Sequence, residues 1–122
     1  MNQYDICWAA LPEPIGLRPV LLLSRNTAFQ YLAKVIVAEI TTTNRAIPHE
    51  VRVGRREGLD RPSVVSLDNV HVVRKTLLRE RIGRLDPRRV EEVKRALGFA
   101  LDWPELKVVG EPPAESQHET RN

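Results

Sequence analysis

Arg18 stands immediately before Pro19 and the apolar run Val20-Leu21-Leu22-Leu23, which ends at Ser24. A guanidinium at the root of a buried strand is an anchored charge with several directed N–H donors. Further along, Ala33-Lys34-Val35-Ile36-Val37-Ala38-Glu39-Ile40 breaks abruptly into Thr41-Thr42-Thr43-Asn44-Arg45. If the two runs are neighbouring strands, a rigid arginine and a set of hydroxyls share one cleft. That pairing suits the recognition of a phosphate or a developing oxyanion. The same pattern also arises from an exposed arginine before one strand and a polar turn after another.

Other chemistries have less to work with. His49, His71 and His118 show no close ligand spacing with one another or with Cys7, so no metal site is expected. There is no phosphate-binding glycine loop and no Gly-x-Ser-x-Gly nucleophile elbow. His71, on a β-rich segment, is a candidate general acid or base, although an isolated strand histidine is more often structural. Cys7 is the single cysteine. It cannot form an internal disulfide, and its apolar surroundings make it a small core residue rather than a nucleophile.

The elements that must position these groups are short strands followed by one substantial helix. Strands are expected at Asp5 to Ala10, Pro19 to Ser24, Ala33 to Thr41 and His49 to Val53, with a helical turn at Asn26 to Leu32 and a charged loop at Gly54 to Pro62. Val64 to Leu67 and Val70 to Val73 flank Asp68-Asn69, a pair compatible with a hairpin or with a bulged strand. Asp86 is a good N-cap, Pro87 suits the first helical position, and Leu85 can staple against Val90. Val90, Val93, Ala96 and Leu97 then repeat at helical spacing, the mark of a helix docked on a sheet. Its end falls either at Gly98 or at Asp102-Trp103-Pro104.

A chain of 122 residues makes one domain, expected over residues 1–110, followed by a polar tail at 111–122 that has no apolar period and should be disordered in isolation. The net charge is only +3, but Arg52, Arg55, Arg56 and Arg61 crowd one segment, and seven Arg and Lys residues from Arg74 to Arg89 crowd the next. Such clusters suit a polyanionic partner, though interspersed acids such as Glu57, Glu80, Glu91 and Glu92 weaken the signal. No stretch is long enough to span a bilayer, and Met1-Asn2-Gln3-Tyr4-Asp5 lacks the regions of a signal peptide. No membrane association and a cytoplasmic location are expected.

The order of segments resembles the MazF/PemK family of toxin endoribonucleases. Four blocks carry the resemblance: Tyr4-Asp5-Ile6-Cys7-Trp8; Leu17-Arg18-Pro19-Val20-Leu21-Leu22-Leu23-Ser24; Val37-Ala38-Glu39-Ile40-Thr41-Thr42; and Arg61-Pro62-Ser63-Val64-Val65-Ser66-Leu67-Asp68-Asn69-Val70 with Arg81-Ile82-Gly83-Arg84-Leu85. The resemblance implies an SH3-like, partly open β-barrel with a C-terminal helix. It implies a homodimer that cuts single-stranded RNA, mainly messenger, at a short sequence with no metal or other cofactor. It also implies a cognate, MazE-like antitoxin. Arg18 matches the family's catalytic arginine and Thr41 its catalytic threonine, while Ser63, Asp68 and Asn69 fall in its substrate-side motif. Two positions depart from the pattern: Tyr4 stands where the family usually has Gly, and Glu39 where an uncharged residue is commoner. The loop between Trp8 and Arg18 is also shorter than in many members.

The chemistry follows from the residues as well. RNA carries its own nucleophile, the ribose 2′-hydroxyl, and in-line attack on the adjacent phosphorus leaves a cyclic phosphate and a 5′-hydroxyl. Arg18 is expected to stabilise the charge that gathers on the phosphoryl oxygens, and Thr41 to add a further donor. Arginine is a poor base, so the general base stays unassigned, with Glu13 and His71 as candidates and Glu13 also placed on the substrate side. The rival reading is a non-catalytic toxin on the same barrel, such as the gyrase-poisoning relatives typified by CcdB, for which Trp103 would be the anchor. An inactive RNA-binding paralogue is a third.

Overall fold

The computed structural model describes residues 1–111. Six antiparallel strands form one open, curled sheet: β1 (Asp5–Ala10), β2 (Leu17–Leu22), β3 (Lys34–Thr41), β4 (Glu50–Val53), β5 (Ser63–Arg74) and β6 (Leu78–Arg84), in the order β4-β5-β3-β2-β1-β6. Helix α1 (Asn26–Tyr31) covers one face and α2 (Val90–Leu101) the other, with the short α3 (Pro104–Lys107) packed against α2. This is the partly open barrel with a C-terminal helix that the resemblance implies. The expected tail lies outside the described residues, apart from Glu111, which is exposed.

The alternation of the strands divides the apolar residues between two cores. Ile6, Leu21, Ala38, Ile40, Val51 and Val65 pack beneath Val93 and Ala96 of α2. Cys7, Val20, Leu22, Val35 and Val37 pack on the opposite face with Ala28 of α1. Burial, aided by the nearby Asp5 carboxylate, pushes the Cys7 thiol up to about 11, consistent with a core residue and not a nucleophile.

Strand β2 begins at Leu17, so Arg18 lies within the strand instead of preceding it. Pro19 has a structural consequence here. Leu23 donates its N–H to Ile36, and alternation directs the N–H groups of Leu21 and of position 19 toward β3 as well. Proline has no N–H to give, and the β2–β3 ladder pairs only Val20, Leu21 and Leu22. β2 and β3 are thereby unpaired from each other beyond Val20 and Glu39, leaving Arg18 and Thr41 at an open mouth.

The Asp68-Asn69 ambiguity resolves as a bulged strand. β5 is continuous, but its register against β3 jumps from Ala38↔Val70 to Glu39↔Ser66, leaving Leu67, Asp68 and Asn69 as the extra residues. Strand β6 was not expected from the sequence. It carries Arg79, Glu80 and Arg81 on the outer edge of the sheet and pairs only with β1, with register shifts.

Two departures have physical causes. Tyr4 adopts φ 70°, the left-handed conformation that favours glycine, while its N–H bonds Leu22 and its carbonyl accepts from Leu85. The segment expected as a charged loop holds a 3₁₀ turn at Arg55–Glu57, and Glu57 is buried at 1% exposure. Its Oε1 accepts from Gly54 N at 2.8 Å, and its Oε2 accepts from Asp86 N at 3.3 Å and Arg89 Nε at 3.2 Å. Glu57 thus ties this turn to the start of α2.

The N-terminal cap of α2 is as expected, with Asp86 accepting from Arg88 N at 3.0 Å and Pro87 opening a 3₁₀ turn that merges into the helix. The helix passes through Gly98 and ends at Asp102, whose φ is 51°. Gly98 serves packing instead: a Cβ there would stand 2.7 Å from Leu106 Cβ in α3.

Candidate active site

Registration across four strands builds the site. Val20, Glu39, Ser66 and Glu50 are successive partners on β2, β3, β5 and β4, so Glu39, Ser66 and Glu50 form a polar row on one face of the sheet. Arg18 and Thr41 lie two residues beyond Val20 and Glu39 and project to the same face. They meet in a polar cleft of about 330 Å³ lined by Arg18, Glu39, Thr41, Ser66 and Asn69, with Thr43, Arg45 and Glu50 at its far side.

Hydrogen bonds hold the lining in place. Arg18 Nη1 donates to Glu39 Oε1 at 3.3 Å, and His71 Nε2 is bonded to Glu39 Oε2. The Glu39 side chain is only 10% exposed, against 33% for Arg18 and 28% for His71. Asn69 Nδ2 donates to Ser66 Oγ at 2.9 Å, so the bulge turns Asn69 back over the cleft. Thr41 Oγ1 accepts from Thr43 N at 3.3 Å, and Glu50 Oε1 accepts from Arg45 N at 2.9 Å, which folds the polar loop after β3 against β4.

A second concavity of about 400 Å³ adjoins the first and shares Thr41 with it. Trp8, Pro19 and Ile82 form its apolar wall, and Thr42, Asp60, Arg61 and Ser63 its polar rim. Trp8 is 38% exposed, a large aromatic surface open to a planar ligand.

Of the residues expected from sequence, Arg18, Thr41 and Asn69 therefore share the first cleft. Ser63 lines the second, where its hydroxyl donates to Arg61 O at 3.1 Å. Asp68 is exposed, its Oδ2 lying 3.5 Å from His49 Nδ1. Glu13 is exposed on the loop between β1 and β2 and lines neither concavity. His71 touches the cleft only through Glu39. Sequence reasoning gave no role to Glu39, Ser66, Glu50 or Trp8. Trp8, Glu39 and Ser66 lie inside the blocks that carry the resemblance, and a carboxylate inside an apolar run is the signal that could have found Glu39.

The family of PemK-like, MazF-like toxins of type II toxin–antitoxin systems matches residues 2–101. This chain belongs to that family. It is 42% identical over 88 residues to endoribonuclease MazF3 of Mycobacterium tuberculosis, covering 70% of this chain and 85% of the relative. It is 37% identical to the probable endoribonuclease MazF5 of the same organism, over 80% of this chain and 90% of the relative. Among solved structures, the M. tuberculosis toxin MazF-mt6 superposes with a TM-score of 0.76 at 39% identity, over 80% of this chain and 96% of that one. A mycobacterial endoribonuclease solved in complex with its cognate antitoxin gives 0.75 at 27% identity, over 85% and 97%. The MazF-type fold and the endoribonuclease family foreseen from the four blocks are thus established. Within that family, the cleft formed by Arg18 and Thr41 is the candidate place of RNA chemistry.

Proposed function

We propose that this MazF-type toxin cleaves single-stranded RNA in the Arg18–Thr41 cleft by attack of the ribose 2′-hydroxyl on the adjacent phosphorus, without a metal. The observation that carries the reading is the convergence of Arg18 and Thr41, from two strands that proline has unpaired, on one polar cleft. Arg18 commits one Nη1 donor to Glu39, and its other donors suit the non-bridging oxygens of a phosphate. Thr41 supplies a hydroxyl at the boundary between the two concavities. The substrate provides the nucleophile, so the chemistry asks the protein for orientation and charge stabilisation alone.

The second concavity suits a base next to the scissile phosphate. Trp8 offers a stacking face, while Asp60, Arg61 and Ser63 offer hydrogen bonds to a base edge. In the first cleft Asn69 and Ser66 offer polar groups to the neighbouring nucleotide, whereas Asp68 lines neither concavity.

A homodimer and a cognate antitoxin belong to the same reading. Ile36 and Val72 are directly paired and are 41% and 66% exposed, which supports a second copy covering this apolar strip. The related mycobacterial endoribonuclease solved with its antitoxin supports a corresponding partner here. Among the described residues no helix is long and apolar enough to cross a membrane, and the cytoplasm, where messenger RNA is found, is the proposed location. The gyrase-poisoning alternative would rest on Trp103, which is 49% exposed just beyond α2, and it leaves the cleft without a purpose.

The test is incubation of the pure protein with a long transcript in EDTA. Discrete fragments ending in 2′,3′-cyclic phosphate and 5′-hydroxyl are expected. Intact RNA, or fragments with 5′-phosphate, would contradict the proposal.

A further inference from the structure

Glu39 is a carboxylate on a strand whose neighbours Val37, Ala38 and Ile40 are all core residues. Burial of such a group requires partners, and it has one on each oxygen: Arg18 on Oε1 and His71 on Oε2. Glu39 nonetheless lines the cleft with Arg18 and Thr41, whereas His71 does not. A proton acceptor is the one group that 2′-hydroxyl attack requires and that Arg18 and Thr41 cannot supply.

We propose that Glu39 is the general base of the cleavage step and that His71 is its positioning residue. The inference rests on the reading of the cleft as the site of RNA cleavage. A phosphate held by Arg18 lies beside the carboxylate that the same guanidinium touches. The 2′-hydroxyl gives its proton to a Glu39 oxygen as the 2′-oxygen bonds to phosphorus. The bond from phosphorus to the 5′-oxygen then breaks, that oxygen takes a proton from water, and Glu39 returns its proton to solvent. Protons and electron pairs balance with no oxidant, metal or further reactant.

Geometry selects Glu39 over the other acids. Glu50 faces the same cleft, but Ser66 stands between it and Glu39 in the row, which sets it further from Arg18 and from the phosphate that Arg18 would hold. Glu13 is outside the cleft. His71 stands behind Glu39, where it fixes the rotamer of the carboxylate without touching substrate. The charged groups that surround Glu39 are Arg18 from β2, His71 from β5, and Arg45 and Glu50 from the loop and the start of β4. Asp68 Oδ2 lies 3.5 Å from His49 Nδ1 at the bulge, without a hydrogen bond between them.

The test compares kcat and the pH profile of kcat/KM for wild type, Glu39→Gln and His71→Gln on an RNA with a mapped cleavage site. Affinity for an analogue carrying 2′-deoxyribose at the scissile position is measured alongside. Glu39→Gln should lose on the order of 10²–10³-fold in kcat and should lose the acid limb of the profile. Its affinity for the analogue should be unchanged or tighter, because a negative charge has left the cleft and the fold is intact. Glutamine at 71 still offers an N–H donor, so His71→Gln should keep the acid limb and lose about tenfold or less in kcat. Should Glu39→Gln fail to fold, Glu39→Asp serves instead, with a retained acid limb and a reduced rate expected. Wild-type rate or an intact acid limb in Glu39→Gln would overturn the inference. So would full activity in Glu39→Asp, or loss of the limb in His71→Gln instead.

Arg18→Ala separates this inference from the reading beneath it. An inactive Arg18→Ala together with a fully active Glu39→Gln removes only the base. An Arg18→Ala that cleaves like wild type removes the cleft as the reaction site and the base with it.

Discussion

Arg18 Nη1 lies 3.3 Å from Glu39 Oε1, so this guanidinium of the cleft is paired with a carboxylate. RNA must place a phosphate where the guanidinium retains donors, beside a carboxylate that repels it. Affinity is therefore a poor guide to the role of Arg18, and rate is the informative quantity.

Thr41 is expected to matter less than Arg18, because it offers one neutral donor where the arginine offers several charged ones. Thr41→Ala should cost about tenfold to a hundredfold in cleavage rate. The Arg18→Ala/Thr41→Ala double variant should lose less than the product of the single losses, because both groups serve one phosphate. Strictly multiplicative losses in single-turnover rates would show that the two side chains act independently of each other.

Glu57 predicts a stability effect remote from chemistry. Arg89→Ala leaves a buried carboxylate with backbone N–H partners only and should lower unfolding free energy by about 2–3 kcal/mol. Urea denaturation measures it, and a loss below about 0.5 kcal/mol, the range of ordinary surface substitutions, would show that the ion pair contributes little.

Gly83 is fixed by space. A Cβ there would meet Glu57 O at 2.0 Å, where β6 passes under the 3₁₀ turn. Gly83→Ala should displace that turn and the start of α2 with it, so a large fall in thermal midpoint is expected. An unchanged midpoint would contradict the close approach.

Cys7 carries a pH prediction. Its thiol is raised from 9.0 to about 11 in the folded protein, so the folded state holds the proton more tightly. The associated stability is present at pH values below 9.0 and is lost as pH rises toward 11. Native protein at pH 8 should resist iodoacetamide and react after denaturation. Rapid alkylation of the native form would show that the thiol is accessible.

Much of the fold was legible because it is written in local pattern. The span of β1, the bounded runs of β2 and β3, and the cap at Asp86-Pro87 all depend on neighbours in sequence. Pairing Arg18 with Thr41 needed only that the two runs be adjacent strands. What escaped depends on distant partners. The bonds of Glu39 span 21 residues to Arg18 and 32 to His71, and those of Glu57 reach to Arg89, so neither carboxylate announces its burial locally. Strand β6 was hidden by edge charges that solvate one side of a strand and mimic a loop. The split of Ser63 from Asn69 follows from the bulge in β5, a one-strand irregularity that alternation cannot forecast.

The central claim is that Arg18 stabilises the transition-state phosphate through directed hydrogen bonds, and single-turnover cleavage by Arg18→Lys and Arg18→Ala tests it most directly. Both variants should fold, bind the 2′-deoxy analogue to within a few-fold of wild type, and cleave on the order of a hundredfold more slowly or worse, because lysine keeps the charge but lacks the planar fork. Near-wild-type cleavage by folded Arg18→Ala would contradict the account.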